Sequence, residues 1–284
     1  MEKKSHNHED ILIPARDGYT LAATYYKADN GENRLVVISS ATAVPRQFYR
    51  EYAEHLAQEG FSVLTYDYRG INDSKPKKLR GFRARMRDWA LQDMAGIIDW
   101  AKSEIKPDQL YLIGHSVGGQ VAGMLDNVAD IDGMVTFSAQ SGHWRHQGGA
   151  QKLAVFFHSY VTLPLAAAVM GYMPWSWLGA EDLPGKVAKE WAGWCRDRNY
   201  LLGDDSLPLE RYSKFSAPVL AYSFSDDNWG TAKAVDAMMR AYPNRERRHV
   251  QPKDAGLKKL GHFGYFKSSS LSLWGEAVDW LNAQ

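Results

Sequence analysis

The sequence has almost no cysteine, almost no net charge and no signal of secretion. Its 284 residues include one cysteine, Cys195, which excludes an intramolecular disulfide and a cluster of thiolate metal ligands. A single thiol suits a reducing compartment, so we expect a cytoplasmic protein. The net charge of +1 gives no overall attraction to nucleic acid, and no nucleic-acid partner is expected. The polar first ten residues lack the apolar core of a signal peptide.

Long uninterrupted apolar segments are also missing. The longest mostly apolar stretch, 153–173, is broken by His158, Ser159, Thr162 and Pro164. These polar groups favour buried or surface-lying helices that cover an apolar pocket over an integral membrane segment. The chain shows no internal repeat and no low-complexity tract.

Strand and helix patterns alternate along much of the chain. Buried strands are predicted at Arg34–Ser39, Phe61–Tyr68, Gln109–Gly114, Gly133–Ala139, Pro218–Phe224 and about Arg248–Pro252. Amphipathic helices separate most of them, which predicts an α/β fold with a mostly parallel sheet and helices on both faces. Two strands around the turn Asp17-Gly18 should add an antiparallel edge.

The alternation fails over residues 143–215, which hold five of the ten tryptophans and several helical stretches. This block interrupts the alternating pattern late, between two predicted strands of the sheet. We therefore predict a helical cap at 143–215, inserted into a core domain made of 1–142 and 216–284.

A serine lies where the strand Gln109–Gly114 gives way to a helix. Ser116 has the spacing G-x-S-x-G, with Gly114 two residues before it and Gly118 two residues after it. A sharp strand-to-helix turn crowds those two positions, so both must be small, and the turn exposes the serine hydroxyl. The pattern predicts that Ser116 is a nucleophile. A tight packing turn that happens to contain serine is the alternative.

A serine nucleophile needs a base, and the base needs an orienting acid. When the nucleophile lies on such a turn, the chain order is serine, acid, histidine. Asp226 follows the strand Pro218–Phe224, so we select it as the acid, with Asp227 as the fallback. Either aspartate could instead cap the helix that follows.

Nine histidines compete for the role of base, and His262 fits best. It follows the acid, lies between the last strand and the last helix, and has Gly261 and Gly264 nearby to let its loop reach the serine. The other eight lie in the N-terminal tail, inside predicted elements, next to the serine on a tight turn, or before the acid.

Two further groups are predicted around the serine. Backbone N–H groups of Val117, after the nucleophile, and Ala41, after the first buried strand, should stabilise an oxyanion. His143 and Trp144, just past a strand end, and Trp229, beside the acid, should contact the substrate.

Taken together, these segments resemble an α/β-hydrolase over nearly the whole chain. The resemblance rests on ATAVPRQFYR, VLTYDYRGINDS, GHSVGGQ, the SDD turn and GHFGYF, and is greatest to a bacterial group related to serine aminopeptidase-like and esterase-like sequences. The cap segment EDLPGKVAKEWAGWCRDRNYL is similar to that group as well. The resemblance implies catalytic roles for Ser116, Asp226 and His262. Ser39-Ser40 replaces a usual His-Gly pair, which affects only the first oxyanion donor.

The expected activity is hydrolysis of a small-molecule ester with a small or medium apolar acyl group, through an acyl-enzyme and without metal or organic cofactor. Peptide-bond hydrolysis, thioester hydrolysis and cofactor-free perhydrolysis use the same triad and stay open. A non-catalytic binding protein of this fold is a weaker alternative, because such proteins tend to lose a triad member. A homodimer is also left open.

A basic stretch over 75–87 has two interpretations. Its seven cationic side chains are Lys75, Lys77, Lys78, Arg80, Arg83, Arg85 and Arg87. The simpler interpretation is a solvated loop and helix start. The alternative is a patch that attracts an anionic substrate or a membrane surface.

Overall fold

The computed structural model describes residues 8–29 and 33–284, and its centre is an eight-stranded sheet. The sheet strands are β1 (His8–Pro14), β2 (Thr20–Tyr26), β3 (Arg34–Ser39), β4 (Ser62–Tyr66), β5 (Gln109–His115), β6 (Gly133–Phe137), β9 (Val219–Phe224) and β10 (Arg245–Val250). Two short strands, β7 (Tyr172–Met173) and β8 (Leu183–Pro184), form a separate antiparallel pair. No strand was predicted at β7 and β8, because two residues are too few to show an alternating pattern.

The sheet order is β1-β2-β4-β3-β5-β6-β9-β10. Strands β3, β4, β5, β6, β9 and β10 pair in parallel, while β1 pairs antiparallel with β2, and β2 with β4. The predicted fold class, including the antiparallel edge, is confirmed.

Helices cover both faces of the sheet. They are α1 (Arg50–Gln58), α2 (86–105), α3 (Val117–Val121), α4 (Gln151–Val169), α5 (Gly185–Arg196), α6 (Ala232–Met239) and α7 (Leu271–Asn282). Two apolar clusters result: one contains Met94, Ile98 and Leu112, and the other contains Tyr52, Val135 and Trp274. Each cluster buries one face of the sheet, and this burial is the main favourable contribution to folding.

The register brings the carboxyl ends of four central strands together. Ser39 pairs with Gly114, His115 with Phe137, and Phe137 with Tyr222. The loops that follow β3, β5, β6 and β9 therefore begin side by side at one edge, where ligand sites form in open parallel sheets.

Helices α4 and α5 and the pair β7–β8 lie in the chain between β6 and β9. By length and composition alone, helix α4 is long and apolar enough to cross a membrane. Only 17% of its most apolar 18-residue stretch is buried.

Candidate active site

Ser116 lies on a strained turn between β5 and α3. Its backbone has φ +51° and ψ −115°, a conformation that costs a residue with a side chain free energy. Helix α3 begins at the next residue, Val117, so unpaired N–H groups of its first turn lie beside the serine. The turn aims a single hydroxyl out of the carboxyl edge of the sheet.

The glycines around Ser116 leave no room for side chains. A Cβ at Gly114 would overlap the backbone of Gly119, and a Cβ at Gly118 would overlap the carbonyl oxygen of Ser39. A Cβ at Gly119 would come within 2.8 Å of Ala139 Cβ. The predicted crowding two residues before and two after the serine is confirmed, and Gly119 extends it.

We expect Gly118→Ala to destabilise the fold by about 1–3 kcal/mol, because the methyl group must push α3 away from β3. The same shift displaces Ser116, so kcat should fall as well. Chemical denaturation and ester-hydrolysis kinetics measure the two effects. Gly275→Ala is the matched control, since a Cβ there meets nothing within 4 Å and alanine favours its helix by about 0.5–1 kcal/mol. Equal stability of the two variants would contradict the packing argument.

His262 is held by a buried aspartate. Its Nδ1 lies 2.8 Å from Asp227 Oδ2, and the same carboxylate oxygen accepts a hydrogen bond from Ser138 Oγ at 2.7 Å. The other oxygen accepts from the Trp229 N–H at 2.8 Å. Burial acts to raise the pKa of Asp227, but His262 and these hydrogen bonds outweigh it and lower the pKa to about 2. Asp227 is therefore ionised at neutral pH and can orient the imidazole.

The choice of Asp226 as the orienting acid is wrong. Its carboxylate accepts hydrogen bonds from the backbone N–H groups of Leu260 at 2.8 Å and Gly261 at 3.0 Å. Because the two aspartates are adjacent on a turn, their side chains point in different directions. Asp226 anchors the loop that carries His262, and Asp227, the fallback, contacts the imidazole itself.

His115, next to the serine, lies beneath the turn in a chain of hydrogen bonds. Its Nε2 is 2.9 Å from the His262 carbonyl oxygen, so Nε2 must be the protonated nitrogen. Nδ1 then accepts from the Tyr49 hydroxyl at 2.8 Å. Burial lowers the pKa of His115 to about 3, so the ring is neutral. This arrangement ties the His262 loop to the centre of the sheet.

Ala41 is also wrong as an oxyanion donor. Its N–H donates to the Tyr49 hydroxyl at 2.9 Å and is not available to a substrate. Thr42, the next residue, lines the cavity above Ser116, and its N–H has no acceptor within residues 8–29 and 33–284. Thr42 and Val117 are the N–H pair that the geometry offers.

The loop containing Thr42 is fixed at its far end by a buried ion pair. The Arg46 N–H donates to Asp67 Oδ1 at 2.7 Å, and its guanidinium contacts Asp67 Oδ2 at 2.5 Å. Buried pairs of this kind hold loop geometry firmly, because breaking one leaves an uncompensated charge.

Ser116 and His262 share one cavity of about 300 Å³. Its walls are mostly apolar and include Ala43, Val44, Trp175, Leu178, Trp191, Trp229 and Phe263. A smaller recess of about 20 Å³, close to the space of one water molecule, also reaches Ser116. Three glutamines, Gln120, Gln140 and Gln147, are among the residues that line that recess.

Of the three predicted substrate contacts, the structure places only Trp229 in the cavity. His143 is buried, with Nδ1 3.2 Å from the Cys195 carbonyl oxygen, and Trp144 packs on Phe156 of α4. Both predictions are wrong because the chain has already turned away from the cavity by residue 143, toward Cys195 and α4.

Sequence reasoning missed Gln140, whose Oε1 lies 3.4 Å from Ser116 Oγ. The signal was available, because Gln140 follows β6, the neighbour of the strand that carries the serine. Within the described ranges, no three His, Cys, Asp or Glu side chains come together in a way that could hold a metal ion.

The parallel sheet, the serine on its strand-to-helix turn and the histidine–aspartate pair at the same edge define an α/β-hydrolase. Residues 32–189 match the family described as serine aminopeptidase, S33, and the chain belongs to that family. Its fold is the α/β-hydrolase fold.

Known proteins of similar sequence cover only part of the chain. An uncharacterised protein of Mycobacterium tuberculosis, found in two strains, is 29% identical over 116 residues. The match covers 40% of this chain and 39% of that relative, so the chain spans about two fifths of the length of the curated relatives it matches.

Solved structures share the fold across the whole chain. A monoglyceride lipase of Saccharomyces cerevisiae has a TM-score of 0.67 at 14% identity, covering 100% of this chain and 98% of the lipase. Est1E of Butyrivibrio proteoclasticus, solved with ferulic acid, has a TM-score of 0.64 at 18% identity, covering 96% of this chain and 98% of Est1E. Esterase Pf2001 of Pyrococcus furiosus has a TM-score of 0.61 at 17% identity, covering 98% of this chain and 91% of the esterase.

Proposed function

We propose that this protein is a serine hydrolase that cleaves carboxylic esters with small or medium apolar acyl groups. The observation that carries the proposal is that Ser116, on its strained turn, opens into the same apolar cavity as His262, whose Nδ1 is held by Asp227. Structural neighbours that are esterases and lipases support it.

The proposed reaction begins when His262 accepts the Ser116 proton at Nε2, because Nδ1–H is committed to Asp227. Ser116 Oγ attacks the ester carbonyl carbon, and the N–H groups of Val117 and Thr42 stabilise the oxyanion. The imidazolium then protonates the leaving alcohol, which leaves an acyl-serine. Water attacks this ester with His262 again as base, and the carboxylic acid departs as Ser116 regains its proton.

The cavity favours an ester over the amide of a free amino acid or peptide N-terminus. An aminopeptidase must bind an ammonium group, and burying that charge without a carboxylate costs several kcal/mol. None of the described residues that line the cavity is Asp or Glu. The tryptophan walls suit an apolar acyl chain instead.

A substrate panel tests this proposal. We expect kcat/KM to rise up to about tenfold from p-nitrophenyl acetate to the butyrate, since two methylenes are buried in the cavity. Leucine p-nitroanilide, with its free amine, should be at least about 100-fold poorer than the butyrate. An acyl thioester and peroxide-dependent perhydrolysis are assayed alongside. Preference for the anilide, the thioester or the peroxide reaction would overturn the ester assignment.

A further inference from the structure

Helix α4 turns one apolar stripe to solvent. Its members recur at helical spacing of three and four residues, so they share a face. The apolar stripe consists of Leu153, Phe156, Phe157, Tyr160, Val161, Leu165 and Val169. Leu153 is 63% exposed and Leu165 59%. A contiguous patch of this kind marks an interaction surface more often than a free surface.

The opposite face of α4 is committed to the protein. Val155 and Leu163 are buried in the main apolar cluster, and Arg196 Nη1 donates to the Ser159 carbonyl oxygen at 2.6 Å. A helix packed in this way lies along a surface with its stripe outward. This is the geometry of an interfacial amphipathic helix.

The segment that contains the stripe has basic but no acidic side chains. Residues 133–180 contain no aspartate or glutamate. The exposed basic loop, Lys77–Arg83, meets the carboxyl end of α4, where Arg80 Nη2 donates to the Val169 carbonyl oxygen at 2.6 Å. Lys77, Lys78 and Arg83 form no ion pair with any residue of the described ranges. These cations are free to bind anions beside the stripe.

The helix that carries the stripe also contributes to the cavity. His158 of α4 lines the cavity. Leu178 and Phe263, from other parts of the chain, line it too and are 78% and 42% exposed. Helix α4 therefore contacts both the cavity and, through its stripe, the solvent.

We propose that the apolar stripe and the basic loop together bind the surface of an anionic lipid bilayer. The stripe enters the boundary between headgroups and acyl chains, and Lys77, Lys78 and Arg83 contact lipid phosphates. An apolar surface alone would suit a second copy of the chain equally well. The unpaired cations of the basic loop and the lack of carboxylates in residues 133–180 favour an anionic lipid surface.

Vesicle co-sedimentation of the full chain tests this inference. We expect binding to phosphatidylcholine vesicles with about one third phosphatidylglycerol, and much weaker binding to pure phosphatidylcholine. The double variant Lys77→Gln/Lys78→Gln should weaken anionic binding more than about tenfold, and added salt should weaken it as well. Lys102→Gln/Lys214→Gln is the control, since both lysines flank the opposite end of the sheet.

The stripe is tested separately with Leu153→Glu/Leu165→Glu, which should abolish vesicle binding while hydrolysis of a soluble short ester is unchanged. Leu271→Glu, an exposed leucine on α7, is the control and should bind as wild type does. Equal binding to neutral and anionic vesicles would overturn the proposal, and so would no vesicle binding. If light scattering showed a dimer that the two Glu substitutions dissociate, and no vesicle binding occurred, the stripe would instead be an interface with a second copy of the chain. Vesicle binding does not depend on catalysis, so this inference and the proposed function fail independently.

Discussion

Replacing Ser116 by alanine lowers kcat for p-nitrophenyl butyrate by at least about 10⁴-fold, because no other group can form the acyl-enzyme. The thermal transition should stay close to that of wild type. The Ser116 hydroxyl makes one long hydrogen bond, 3.4 Å to Gln140, so its loss removes little stabilisation. Steady-state kinetics and a denaturation curve, measured on the same preparation, separate lost chemistry from lost folding.

Ser223→Ala is a matched control for this result. Ser223 is a buried serine near the end of β9, and its hydroxyl contacts His249 rather than the cavity. Its removal should change kcat by no more than about threefold. If Ser116→Ala kept more than a few percent of wild-type kcat, another residue would have to be the nucleophile.

The second large effect separates two neighbouring carboxylates. Asp227→Asn should lower kcat about 10³- to 10⁴-fold, because an amide neither holds the required His262 tautomer nor stabilises the imidazolium. Asp226→Asn should lower kcat about tenfold or less. One amide oxygen replaces two carboxylate acceptors for the N–H groups of Leu260 and Gly261, so stability should fall by about 1–3 kcal/mol.

The two variants therefore differ in kind. Asp227→Asn acts on the rate, and Asp226→Asn acts mainly on the stability of the loop that carries His262. Because the pKa of Asp227 is about 2, its carboxylate stays ionised above about pH 4, so the wild-type pH–rate profile should show no titration of Asp227 above that pH. A greater loss of kcat in Asp226→Asn than in Asp227→Asn would contradict the assignment.

Local sequence patterns were enough to predict the turn at Ser116. The crowding between β5 and α3 involves residues only a few positions apart, so the spacing of the glycines is enough to predict it. The fold class and its antiparallel edge followed from strand and helix periodicity in the same way. His262 could be selected because chain order left it as the best candidate, and the structure places it in the cavity with Ser116.

Tertiary contacts decided what sequence reasoning could not. Whether Asp226 or Asp227 meets His262 depends on how the turn after β9 faces the loop at residues 260–262. Whether Ala41 or Thr42 has a free N–H depends on a hydroxyl from Tyr49. Neighbouring residues of the same chemistry leave no trace of such choices in the sequence.

The block at 143–215, which we predict to be a cap, was the least predictable part. Its helices are apolar on several sides, so the sequence could not separate walls of the cavity from the apolar stripe. Trp175 and Trp191 line the cavity, while Phe156 and Phe157 face solvent. The division follows from the packing of α4 on α5, including the contact from Arg196 to Ser159.

The most direct test of the catalytic assignment is covalent labelling with a fluorophosphonate probe, followed by peptide mass mapping. We predict a single adduct on Ser116, absent from Ser116→Ala, formed much more slowly in Asp227→Asn and at a near wild-type rate in Asp226→Asn. An adduct on a different residue, or ester hydrolysis without labelling of Ser116, would contradict the account.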